Sequence, residues 1–145
     1  GSDVDAALYY LARMIDAGED PKFIARRMVI FASEDIGLAG NGALGLALNA
    51  FQAVERIGMP ESSYILFHVA AALAKSEKSR RTTEAMGRAQ SLARKFSDAA
   101  VPLHIRNAPT NLMKDLGYGK DYKWTADFKH EKGFLPEELR GETIF

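Results

Sequence analysis

Apolar residues recur along most of this chain with the spacing of an α-helix. Val4, Leu8, Leu11 and Ile15 are separated by four, three and four residues, which places them on one helical face. Ser2 or Asp3 can cap this helix, and Gly18 can end it. Asp20-Pro21 opens a second helix, with a capping side chain followed by proline in the first turn. The pattern predicts helix over 20–36, stopped by Gly37, with Ile24, Met28 and Phe31 inward and Arg26, Arg27, Ser33 and Glu34 off that face. A glycine-rich turn over 37–42 leads to a third helix over 43–57, ended by Gly58. Its small residues Gly45, Ala47, Ala50 and Ala53 suit close helix contact.

Pro60-Glu61 starts a fourth helix that runs through Ala74. Residues 62–74 carry no charge and read as a buried helix, well short of the roughly 20 apolar residues a membrane span needs. A fifth helix is predicted over 79–96 with Ser79 as its cap, and a short sixth over 109–116, stopped by Gly117. The remainder is irregular and aromatic-rich, with one further turn at Pro136-Glu137-Glu138-Leu139. No repeat or linker interrupts the chain. The expected fold is therefore all-α: a single helical domain of about six helices over residues 1–145, with an irregular aromatic-rich C-terminal tail.

Composition adds three constraints. A length of 145 residues, 47% apolar and 26% charged, suffices for one real core. Nineteen basic and nineteen acidic residues cancel, which argues against a surface wholly given to nucleic acid or membrane but permits a local patch. Such a patch exists in sequence: residues 75–95 hold seven basic and two acidic side chains, and Arg81, Arg88 and Lys95 recur every seven residues on one stripe. Glu84, four residues from both Arg80 and Arg88, is placed to neutralise part of it. With no cysteine, disulfides and thiolate metal sites are excluded. The first residues lack the basic and apolar regions of a signal peptide, and the immediate helix start suggests a piece of a longer protein. Gly1-Ser2 fits either native sequence or a tag remnant.

Candidate chemistry is sparse. Residues 40–45 match G-x-G-x-x-G, but that fingerprint needs a preceding strand, and here a helix precedes it; a helix–helix turn is the better reading. No Walker-type phosphate loop is present. His68, His104 and His130 lack metal-ligand spacing, and His68 reads as a core histidine hydrogen-bonded to backbone. His104, Arg106 and Asn107 lie in a loop where polar and apolar residues interleave, an anchoring arrangement rather than a catalytic one. Glu34 and Asp35 occupy the last turn of the second helix, at the negative end of its dipole. That placement suggests an ion-paired brace to Arg26 and Arg27, to Arg106, or to a neighbouring subunit. No catalytic, cofactor or metal-binding constellation can be assembled.

Several segments, in order, resemble the C-terminal region of the MgsA/RarA family, the replication-associated recombination protein A family related to the Werner-helicase-interacting ATPase. They include Asp5-Ala6-Ala7-Leu8-Tyr9-Tyr10-Leu11-Ala12-Arg13-Met14, Gly18-Glu19-Asp20-Pro21 and Phe31-Ala32-Ser33-Glu34-Asp35-Ile36-Gly37-Leu38-Ala39. Ala53-Val54-Glu55-Arg56-Ile57-Gly58-Met59-Pro60-Glu61, Lys78-Ser79, Val101-Pro102-Leu103-His104-Ile105-Arg106-Asn107-Ala108-Pro109-Thr110 and Leu116-Gly117-Tyr118-Gly119-Lys120 continue the series. Gly40-Asn41 stands where the family usually has Asp-Pro, and Glu77-Lys78-Ser79-Arg80 where it has Pro-Lys-Ser-Asn.

The resemblance implies a clamp-loader-collar-like domain through which the parent assembles as a homotetramer. It also implies an ATPase module outside this chain, holding ATP and Mg, with no cofactor in this part. The implied parent is a DNA-dependent ATPase at stalled replication forks, a cytoplasmic protein associated with the nucleoid, contacting DNA and single-stranded-DNA-binding protein and no membrane. Within the chain, Arg26, Arg27, Glu34, Asp35, His104, Arg106 and Asn107 are the candidate structural or interface residues. Arg81, Arg88 and Lys95 are the candidate DNA contacts of the rival reading, a helical DNA-binding or replication-protein-binding module.

Overall fold

Asp3 starts the first helix: its carboxylate accepts the Ala6 N–H at 2.9 Å, satisfying one of the free donors at a helix N-terminus. In the computed structural model, which describes residues 1–145, α1 spans Val4–Asp16, and Gly18 turns the chain at φ +83°. Asp20 repeats the device for α2 (Pro21–Phe31), accepting the Lys22 N–H at 2.9 Å. The helical path then widens into a π turn, Ala32–Ile36, and tightens into a 3-10 turn, Gly37–Ala39. After a turn at Asn41-Gly42 come α3 (Ala43–Ile57), α4 (Ser62–Lys75), α5 (Arg81–Lys95) and the short α6 (Asn111–Asp115), capped by Thr110. Two further 3-10 turns lie at Leu103–Ile105 and Glu137–Leu139. There is no strand, and no helix is long and apolar enough to cross a membrane.

The chain divides into two compact units, Gly1–Ala85 with Phe145, and Met86–Ile144. In the first, α1 packs on α4, α2 on α3, and α3 on α4. Its core has two clusters: Leu11, Ile24, Ala25, Val54 and Leu66, and a second built on Ala32, Ile36, Ala43, Ala47, Ala50, Val69 and Leu73. Alanines at 43, 47 and 50 let α3 approach α2 closely, because no long side chain holds the backbones apart.

This packing corrects several expectations. The most buried positions at the second helix are Ile24, Ala25, Ala32 and Ile36, while Met28 and Phe31 are only half-buried. Close approach by the alanines of α3 favours small partners. Gly45 is exposed, and nothing lies within 4 Å of a Cβ placed on it, so it mediates no close contact within the chain. On α4, only the stripe of Ser62, Leu66, Val69 and Leu73 is fully buried, together with Ala74. Position 68 faces away from that stripe, so His68 is exposed and is not a core histidine. At α5 the Glu84 N–H donates to the Arg80 carbonyl at 2.9 Å, so Arg80 rather than Ser79 is the capping residue.

The C-terminal end of α4 is closed by Lys78. Its ammonium donates to the carbonyls of Leu73 at 3.0 Å and Ala74 at 3.2 Å, and to that of Ser76, and stands 5.6 Å from the Phe31 ring centre. A cation on the last carbonyls of a helix opposes the negative end of the dipole.

The second unit has little aliphatic core. From Met86 to Ile144 only His104 and Leu139 are buried, so hydrogen bonds and aromatic rings carry its organisation. The Gly119 N–H donates to the Leu103 carbonyl at 2.9 Å, tying the glycine turn after α6 to the 3-10 turn at 103–105.

Candidate functional site

The π turn holds the first group of predicted residues. Glu34 is exposed and Asp35 half-buried, and it is their backbone carbonyls that act: Glu34 accepts the Thr83 hydroxyl at 2.9 Å, and Asp35 the Ser79 N–H at 2.7 Å. A π turn leaves carbonyls free of regular helix bonds, and here they bind the segment entering α5. The single ion pair in the chain joins Arg140 to Glu137, so the brace from Glu34 or Asp35 to Arg26 or Arg27 is not formed. Arg26 instead lies over the Phe23 ring at 5.3 Å. Arg27 lines an apolar groove of about 360 Å³ among α1, α2 and α4, alongside Leu11, Met14, Phe23 and Phe31.

The second group is the loop before α6. His104 Nε2 lies 2.8 Å from the Gly133 carbonyl oxygen, and since a carbonyl only accepts, Nε2 carries the proton. Its ring stacks on His130 at 3.7 Å, nearly parallel, and His130 Nδ1 accepts the Lys132 N–H at 3.2 Å. Arg106 donates from Nε to the Val101 carbonyl at 2.6 Å and from its terminal nitrogen to the Tyr118 hydroxyl at 3.2 Å, with its guanidinium over the Tyr118 ring. These are the bonds of a loop anchor. Asn107 is exposed and faces a groove of about 350 Å³ that Arg106, Tyr122, Trp124 and Phe134 also line. The loop also borders a cleft of about 420 Å³ that includes Lys120, Lys132, Glu137 and Glu138.

The third group is the α5 stripe. Arg81, Arg88 and Lys95 are all exposed. Arg81 lies 4.5 Å from the Phe145 ring centre, and Arg88 Nε donates to the Ile144 carbonyl at 2.9 Å. Glu84 pairs with neither Arg80 nor Arg88, so no ion pair neutralises the stripe.

The sequence pattern assigns no structural role to Lys78 or Thr83. A lysine three residues beyond a helix end is a recognisable capping signal, but Thr83, already inside the first turn of α5, gives none.

The first unit also exposes large apolar side chains in helical register. Tyr9 is 60% and Tyr10 59% exposed on α1, with Met14 one turn on from Tyr10; Leu44 is 45% and Leu48 43% exposed on α3. Scattered apolar residues on a surface are ordinary, whereas residues four apart on a helix are neighbours on one face. The helical frame and these faces accompany a match over residues 1–145 to the family described as MgsA AAA+ ATPase C terminal. The chain belongs to the MgsA/RarA family of AAA+ ATPases.

The chain is 42% identical over 149 residues to ATPase WRNIP1 of Dictyostelium discoideum, covering 100% of this chain and 17% of that protein. To replication-associated recombination protein A of Coxiella burnetii it is 43% identical over 149 residues, covering 100% of this chain and 34% of the relative. For the Escherichia coli K12 protein of the same name the figures are 42% over 127 residues, 88% and 28%. The chain thus spans about a third or less of these curated relatives, and corresponds to the C-terminal domain of MgsA/RarA proteins.

Proposed function

We propose that this domain assembles its parent ATPase, bringing copies together through the apolar faces of α1 and α3, and has no catalytic activity of its own. The observation that carries the reading is the exposed pair Leu44 and Leu48 on α3, next to the open Gly45. Fully burying a leucine gains about 1.5–3 kcal/mol, and a small residue beside the pair allows a neighbouring helix to come near. The apolar groove among α1, α2 and α4 offers a further seat for side chains of a second copy. The assembled state is a homotetramer. Glu34 and Asp35, without a cation in their own chain, are available to basic groups of a neighbouring subunit.

ATP and Mg belong to the remainder of the parent, a DNA-dependent ATPase acting at replication forks, in the cytoplasm and on the nucleoid, with DNA and single-stranded-DNA-binding protein as partners. The names of the relatives, an ATPase and a replication-associated recombination protein, support the ATPase and replication parts of this setting. Light scattering on Leu44→Asp with Leu48→Asp tests the assembly role. Both residues are exposed, so the variant keeps its helical circular dichroism, and its mass falls to that of a monomer. An unchanged multimeric mass moves the interface away from α3.

A second reading has one observation in its favour. Arg81, Arg88 and Lys95 remain exposed and free of ion pairs, as phosphate contacts require.

A further inference from the structure

Trp124 is the only tryptophan of the chain and is 92% exposed. Its ring stands 6.3 Å from that of Tyr122, tilted by 58°, so no ring stacks face to face on it. From Tyr122 the aromatic series continues to Phe128 at 5.1 Å, and from Phe128 to Phe134 at 6.2 Å. Tyr122, Trp124 and Phe134 share the groove of about 350 Å³ that Arg106 and Asn107 also line.

The composition of this surface identifies its occupant. Between Tyr118 and Phe134 there is no Leu, Ile, Val or Met, while Lys120, Lys123, Lys129 and Lys132 alternate with the rings, all exposed and without a carboxylate partner. Protein interfaces favour aromatic residues and methionine and are depleted in lysine. Aromatic rings interleaved with lysines serve unpaired nucleic acid, where bases stack on the rings and cations meet the phosphates. Asp121, Asp127 and Glu131 offset most of the lysine charge, so stacking rather than field supplies most of the attraction.

We infer that the groove around Trp124 is a stacking site for the bases of single-stranded nucleic acid, separate from the α5 stripe. Trp124 and Tyr122 are the stacking residues, and Lys120 and Lys123 flank the strand. A base-paired duplex keeps its bases stacked on one another and cannot use the site.

The test is titration of the chain with oligothymidylate, followed by fluorescence of its one tryptophan. Saturable quenching is expected, with only a shallow salt dependence, and no quenching by a duplex of equal length. Measured by anisotropy of a labelled oligonucleotide, Trp124→Ala weakens binding about tenfold to a hundredfold, while Trp124→Phe retains most of it. Absence of quenching, or equal quenching by duplex, overturns the inference. So does binding lost on replacing Arg81, Arg88 and Lys95 by Ala but kept in Trp124→Ala. A change in the mass of the nucleic-acid-free protein in Trp124→Ala would assign the surface to self-contact and likewise overturn it. Because assembly is read by mass and stacking by fluorescence, either proposal can fail without the other.

Discussion

Gly37 ends the π turn at φ +50°, and a Cβ there would meet the Ser79 carbonyl oxygen at 3.1 Å. Gly45, inside α3, has an ordinary helical neighbourhood and open space around it. The same substitution should therefore act in opposite directions. Gly37→Ala combines a left-handed backbone with a close backbone neighbour and is expected to cost about 1–3 kcal/mol in urea unfolding. Gly45→Ala should gain about 0.5–1 kcal/mol for the separated chain, since alanine loses less entropy in a helix. Equal effects would show that the turn is not held as described. Ser62 gives a third residue-level expectation. Its hydroxyl is fully buried and has no hydrogen-bond partner, so Ser62→Ala should leave the thermal midpoint unchanged or raise stability by about 1 kcal/mol. A fall in the midpoint would reveal a partner for that oxygen. The cap Asp20 is legible at this scale, and Asp3 as one of two candidates beside Ser2, because each acts on its own next few residues. The exposure of His68 is not, because which face of the uncharged stretch 62–74 is buried depends on neighbours distant in sequence.

At the scale of elements, the junction between α4 and α5 rests on Lys78 and on the carbonyls of the π turn. Lys78→Met keeps the apolar stem but removes the donors to the end of α4. Hydrogen bonds from a charged group to partly buried carbonyls predict a loss of about 1–2 kcal/mol, measured by urea unfolding. No loss would mean that water replaces the ammonium without penalty. For α5, replacing Arg81, Arg88 and Lys95 together with Ala should leave the assembled mass intact. If the stripe instead met phosphates, each lost contact would lower the log–log salt slope by about 0.9 on duplex DNA and roughly 0.7 on single strands. A drop of about two or three in that slope would favour the nucleic-acid reading of the stripe. The span of α1 follows from a cap, a 3.6-residue period and a glycine stop, and that of α3 from the glycine-rich turn before it and Gly58 after it. The π turn does not, because one widened turn keeps Ala32 and Ile36 on the buried side and changes only which carbonyls are freed.

At the scale of the whole molecule, the core of the first unit was readable as apolar stripes, whereas the chemistry of the second unit was only partly so. Val101 to Asn107 stood out as an interleaved loop, but the stack of His104 on His130 joins residues far apart in sequence. Spacing alone cannot supply that register. The apolar faces of α1 and α3 show the same limit: the helical period says that a side chain is apolar, and only the packed bundle shows that Tyr10, Leu44 and Leu48 remain uncovered. Assembly is the consequence that joins these observations, and solution mass measures it directly. Multi-angle light scattering over a dilution series should give a mass well above the 15.9 kDa of one chain at micromolar concentration, approaching four copies and falling on dilution. A mass of 15.9 kDa maintained to high concentration would contradict the account and place the determinants of assembly outside this domain.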